Sequence, residues 1–283
     1  MNRHRNHALT CGIMLFVAVV LTEASIAHDL FLKLRSFFLA PDSDVTVSLI
    51  NGTFDQSENS IARDRMLDIS IVGPEREIEH PAKSDWRDED NATLLDFRTG
   101  SSGTYTLGVS TAPRVIELSA EDFNEYLRHD GVVDTLQQRT EAGELDTAAR
   151  ERYSKHVKAV VQVGEDRSSG FDANLGYPVE FIPMQNPYQL DVGDSLDVRF
   201  LKDGQPVANQ MIYASHEGFH RHDESGHHVE AFSARTDADG IVTVPLSESG
   251  RWYLRTIHME KIDHEDADYQ STWATLTFEV AGN

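Results

Sequence analysis

Cysteine is almost missing from this chain. Of its 283 residues only Cys11 is one, and it lies in an apolar leader, before most of the apolar run. Disulfides and thiolate metal centres are therefore excluded downstream, and any metal must be held by His, carboxylate, amide or amine groups. Long apolar runs are missing too. The stretch from Ala8 to Leu21 is short for a membrane span, and nothing later is longer. Gly-x-Ser-x-Gly and a phosphate loop are both absent, so the hydrolase and nucleotide chemistries they carry have no signature here. Aromatics make up 8% and form no cluster, which leaves no stacking platform for a polysaccharide. Cations are scarce: 25 Lys+Arg stand against 47 Asp+Glu, a formal net charge of −22. Such a chain repels nucleic acid and anionic headgroups and attracts cations. Its acids are too numerous for one catalytic carboxylate pair to be singled out. A hydrophobic content of 40% still supports a real core.

What is present begins with the leader. Arg3 and Arg5 give a positive start, the apolar run follows, and Ser25-Ile26-Ala27 supplies small residues for cleavage. Residues 1–27 read as a signal peptide, which makes the mature chain periplasmic or secreted, with no membrane insertion after cleavage. A cysteine-free exported chain of this size fits a bacterial periplasm. Cleavage after Ala27 exposes His28. An N-terminal His offers its amine and ring Nδ1 to one metal ion in a small chelate ring, which an internal His does not.

Period-two segments dominate the rest. Val45, Val47 and Leu49, then Leu67, Ile69 and Ile71, then Tyr105, Leu107 and Val109 each alternate with polar or small neighbours, the pattern of strands with one buried face. Ser119-Ala120-Glu121-Asp122 reads as a helix start with Ser119 as cap. Helices are expected to Arg128, from near Asp134, and from about Thr147 to Tyr153, a helical insertion over about 119–153. Strand returns from Val157 to Val163. Six further strands are expected, Ser195–Leu201, Val207–Ala214, Val229–Arg235, Ile241–Leu246, Arg251–His258 and Thr272–Val280. The fold expected is mainly β: two antiparallel β-sandwich domains, 28–168 with the helical insertion and 175–283, joined by a polar linker.

Two resemblances refine this. Asp203 to Ala208, Thr236 to Gly240 and Ser249 to Leu254 resemble the carboxypeptidase-regulatory, transthyretin-like sandwich. Ala27-His28-Asp29, Leu175 to Glu180, Asn186-Pro187-Tyr188, Gly218-Phe219 and Trp252 to His258 resemble the bacterial domain-of-unknown-function 4198 family over nearly the whole mature chain. That resemblance implies a periplasmic component of nickel or cobalt uptake.

Histidines are the chemical signal. His216, His220, His222, His227 and His228 crowd one segment between two strands. Imidazole suits zinc, copper, nickel and cobalt; the bland alternative is a solvated hairpin whose histidines bind metal only incidentally. This richness departs from the family. His258, on a strand face with Trp252 and Leu254, is a further candidate because the resemblance includes it. His28 and His258 are expected to share one site between the two sandwiches. His80 and His156 read as structural, His264 as part of a solvated acidic loop, and Asp237-x-Asp239-Gly240 as a hairpin turn rather than a calcium loop. The function expected is binding rather than catalysis: a divalent transition metal (nickel, cobalt, copper or zinc) handled for uptake or trafficking, with membrane metal-transport components as partners. The alternatives are a copper enzyme using an N-terminal histidine brace, and a non-catalytic adhesion or assembly module.

Overall fold

A computed structural model describes residues 28–222 and 228–282, so the leader and His227 lie outside the described residues. Among the described residues the chain is mainly β, with two α-helices. In one four-stranded sheet Asp29–Lys33 pairs antiparallel with Asp44–Gly52, followed by Ala92–Arg98 and Trp86–Glu89. A second carries Ser195–Lys202 flanked by Val179–Pro183 and Ile241–Pro245. The largest runs from Phe232–Arg235 through Met211–His216, Gly250–His264, Ala267–Val280, Ala149–Val163 and Gly103–Thr111 to Met66–Val72.

That sheet joins the two expected halves. Ala149–Val163 pairs in parallel with Ala267–Val280 over the register Glu151↔Tyr269 to Ala159↔Thr277. One apolar cluster contains Leu30, Val47 and Leu107 from the first half and Phe181, Phe200, Trp252 and Leu276 from the second. The first strand is tied to the last by side chains: Thr275 and Thr277 hydroxyls donate to the Leu30 and Leu32 carbonyls at 2.7 and 2.6 Å.

Local readings fare unevenly. Helix α1 spans Ala120–His129 with Ser119 as cap, its Oγ accepting from Asp122 N at 3.1 Å. Phe123, Tyr126 and Leu127 fall on one face and bury against Tyr269 and Trp273. Helix α2 spans Val133–Ala142. The third expected helix, Thr147 to Tyr153, is instead the opening of the strand Ala149–Val163. There the backbone pairs with Arg114–Leu118 on one side and Tyr269–Ser271 on the other, and sheet pairing overrides a weak local preference. Leu67 points outward, 63% exposed, because a register shift between Met66 and Asp68 breaks the alternation. The strand expected to begin at Val207 begins at Met211, and the one expected to close at His258 runs to His264. Among the described residues no helix is long and apolar enough to cross a membrane.

Candidate functional site

His28 immediately precedes the first strand, at the mouth of a cavity of about 130 Å³. Phe31, Phe54 and Tyr253 form its apolar wall, packed edge to face or tilted with ring centroids 4.8–5.2 Å apart. His28, Asp29, His129, Asp130, Glu230 and Arg255 supply the polar lining.

Helix α1 delivers two of these. Its apolar face fixes its roll against the sheet, and its C-terminus is closed by a Schellman pair: Gly131 N donates to Arg128 O at 3.3 Å and Val132 N to Leu127 O at 2.8 Å. Gly131 has φ of 74°, and a Cβ there meets the Tyr213 hydroxyl, so glycine is required. Tyr213 Oη in turn donates to the Gly131 carbonyl at 2.9 Å. The last helical residue, His129, and the capping residue, Asp130, are thereby fixed at the cavity.

The electrostatics favour a cation. Three acids, Asp29, Asp130 and Glu230, face one guanidinium, Arg255. Arg255 Nε reaches Glu230 Oε1 at 2.8 Å and Asp29 Oδ2 at 3.5 Å, and Nη1 donates to the Asp130 carbonyl at 3.0 Å. Tyr253 Oη donates to Glu230 Oε2 at 2.6 Å. Burial pushes the Asp29 carboxyl up to about 6 against the pull of Arg255. Asp130 Oδ2 is buried and has no hydrogen-bond partner, an orphaned acceptor that costs free energy unless something binds it.

Both histidines carry a carboxylate on one ring nitrogen. His28 Nε2 lies 2.8 Å from Glu58 Oε2, and His129 Nδ1 lies 2.7 Å from Asp130 Oδ1. An ionised carboxylate only accepts, so each of these nitrogens holds the proton. In the neutral rings the free lone pairs are then His28 Nδ1 and His129 Nε2. This is the outer-shell arrangement that orients metal-binding imidazoles. Burial lowers the His28 pKa, while the Asp130 hydrogen bond raises that of His129.

The other expected residues distribute as follows. His258 does not line this cavity. It faces a separate one with Gln210, Met259 and the start of α2, with Nδ1 2.9 Å from Gln210 Oε1 and Nε2 3.4 Å from Glu260 Oε1. His28 and His258 are therefore not brought together. His216 ends its strand and packs against Trp252 and Phe219, ring centroids 5.0 and 5.5 Å away. His220 is exposed, its Nε2 3.8 Å from Asp55 Oδ2. His222 and His228 are register partners in a small hairpin, Arg221–His222 with His228–Val229. That hairpin stands beside the cavity, since Glu230 follows its return strand directly and Asp55 follows Phe54. His156 is 2% exposed between the Ser110 and Ser154 hydroxyls at 2.9 and 3.0 Å, a structural role. Sequence reasoning missed His129 and Asp130. Their signal was present: a His-Asp pair closing an amphipathic helix just before Gly131.

Among the described residues no three His, Asp or Glu side chains form a ready metal-binding group. Fold and site thus define a mainly β protein with an acid-lined cavity at His28, where two rather than three side chains present free imidazole nitrogens. The chain belongs to the family described as Domain of unknown function (DUF4198), whose model matches residues 25–260. No protein of curated function matches it. Solved structures similar to it include the D0-D1 domain of intimin, at 10% identity, covering 89% of this chain and 98% of that one with a TM-score of 0.22. Dimeric latent PorU from Porphyromonas gingivalis is 10% identical, over 89% of this chain and 20% of that one, TM-score 0.21. Murine CEACAM1b is 7% identical, over 89% and 98%, TM-score 0.20. Likenesses this slight carry no argument about function.

Proposed function

We propose that this is an exported protein that binds a divalent transition metal at the His28 cavity and serves metal uptake or trafficking. The observation that carries the reading is the meeting of His28 and His129 in one acid-lined cavity, each with a carboxylate on the nitrogen a metal does not need. With His28 as the mature N-terminus, its amine joins the two rings. Two residues then offer three nitrogens. Nitrogen donors of this kind suit copper, nickel, cobalt and zinc, with copper favoured by affinity order. Amine and imidazoles must be unprotonated to bind, so the metal is exchangeable with protons. The His-rich hairpin beside the mouth supplies further imidazoles for capture.

A copper enzyme with an N-terminal brace would use the same nitrogens. Binding is favoured over that reading because the cavity is small and its aromatic walls are inward. Among the described residues Phe38 is the one aromatic among the exposed large hydrophobics, so no flat aromatic face surrounds the site.

The test is calorimetric titration of the mature chain with copper and nickel. Tight stoichiometric binding is expected. Adding one residue before His28, or changing His129→Ala, is expected to weaken it about a hundredfold each, and the combination little further, because both destroy one site. His258→Ala is expected to bind like the parent. Unchanged affinity in the extended chain sinks the reading, as does a mature N-terminus other than His28 in intact-mass measurement.

A further inference from the structure

His28 also lines a second cavity. Arg65, Arg114 and Lys155 converge there with Asn51, Asn59, Ser60 and Tyr153. Among the described residues no Asp or Glu lines it. In a chain of net charge −22, three cations facing one space without a carboxylate run against the composition.

The cations are built in rather than draped over the surface. Arg65 is 7% exposed and Lys155 3%. Arg65 lies over the Tyr153 ring, 5.1 Å from its centroid, yet its Nε is buried with no hydrogen-bond partner. Its Nη2 makes a single long bond of 3.4 Å to the Ala112 carbonyl. Lys155 donates to the His28 carbonyl and, at 3.1 Å, to Asn51 Oδ1. An ammonium has three hydrogens, so one remains. Arg114 is exposed at the rim and has no ion pair among the described residues. Asp29, the carboxylate with most influence on Lys155, faces the other cavity and Arg255.

Burying like charges together is costly unless an opposite charge joins them. Burial, opposed by Tyr153 and reinforced by Arg114, lowers the Arg65 pKa. Guanidinium forks match planar or tetrahedral anionic oxygens bidentately.

We infer that this cavity is a binding site for a small oxygen anion, a carboxylate or an inorganic oxyanion, held by Arg65, Arg114 and Lys155. It does not depend on metal at the first cavity, although both cavities share His28.

The test uses the whole mature chain, stripped of metal over a chelating resin because soluble chelators are themselves polycarboxylates. Phosphate, sulfate and malonate are titrated separately at low ionic strength. One saturable site is expected, weakening as chloride rises. A phosphate-only response identifies an oxyanion site and a malonate-only response a carboxylate site. Arg114→Ala, at an exposed position that leaves folding intact, is expected to weaken binding about tenfold or more, with Arg114→Lys between the two. Arg98→Ala, an exposed arginine paired with Asp44 in another sheet, is expected to change nothing. No saturable heat from any of the three anions overturns the proposal. So does equal binding by Arg114→Ala and the parent.

Discussion

Lys158 and Glu180 are each 1% exposed, with Nζ 3.1 Å from Oε2. The pair is supported on every side. Lys158 Nζ also donates to the Ala173 and Phe181 carbonyls at 2.6 and 3.0 Å, while Glu180 accepts from Leu175 N and Gly176 N at 3.0 Å each. The Leu175 to Glu180 motif is therefore a structural cradle for a buried charge. Removing one partner strands the other, so Glu180→Ala is expected to cost about 3–5 kcal/mol, read as a shift in the urea unfolding midpoint. A shift below about 1 kcal/mol would mean water reaches Lys158. His156 gives the pH counterpart. Burial pushes its pKa down to about 4 from an ordinary 6.5, so the unfolded chain binds the extra proton first. Its contribution is intact above about 6.5 and is lost as pH falls toward 4, to a total of about 3 kcal/mol. Unfolding free energy measured between pH 7 and pH 4 is expected to fall less steeply in His156→Gln than in the parent. Parallel curves would place that acid sensitivity elsewhere.

Among the elements, α1 and the His-rich hairpin behave oppositely. The helix is locked by its buried face, by the Schellman closure and by Tyr213 over Gly131. The hairpin is short, polar and attached outside the apolar cluster. Replacing His220, His222, His227 and His228 together by Ala is expected to leave the melting temperature of the metal-free protein within about 2 °C, while lowering the number of metal ions bound under excess. A large drop in the melting temperature would show these side chains to be packed groups. The helix was legible in the sequence because its cap, first-turn acids and apolar spacing all agree. The strand that begins at Ala149 was not, because nothing local distinguishes it from a helix. Only its two neighbours, drawn from residues 114–118 and 269–271, make it a strand. Leu67 was misread for a related reason: a bulge breaks alternation without altering composition.

For the whole molecule, the central question is whether the halves stand alone. The parallel pairing of Ala149–Val163 with Ala267–Val280 and the threonine bonds to the first strand argue that they do not. Residues 175–283 expressed alone are expected to show no cooperative unfolding transition by circular dichroism; a sharp transition would establish an independent domain. The sequence by itself determined what is additive along the chain: a mainly β fold, the near absence of thiols and the acidic balance. Each of these follows from composition or from period-two spacing, which need no partner. The tertiary structure alone decided which histidine stands with His28. His258 had the family resemblance in its favour, but it faces a different cavity. His129, about a hundred residues from His28 and unremarked in the sequence, is brought to it by the way α1 docks on the sheet. Ligand sets assembled across such separations depend on strand register and helix roll, and neither is written in the residues nearby.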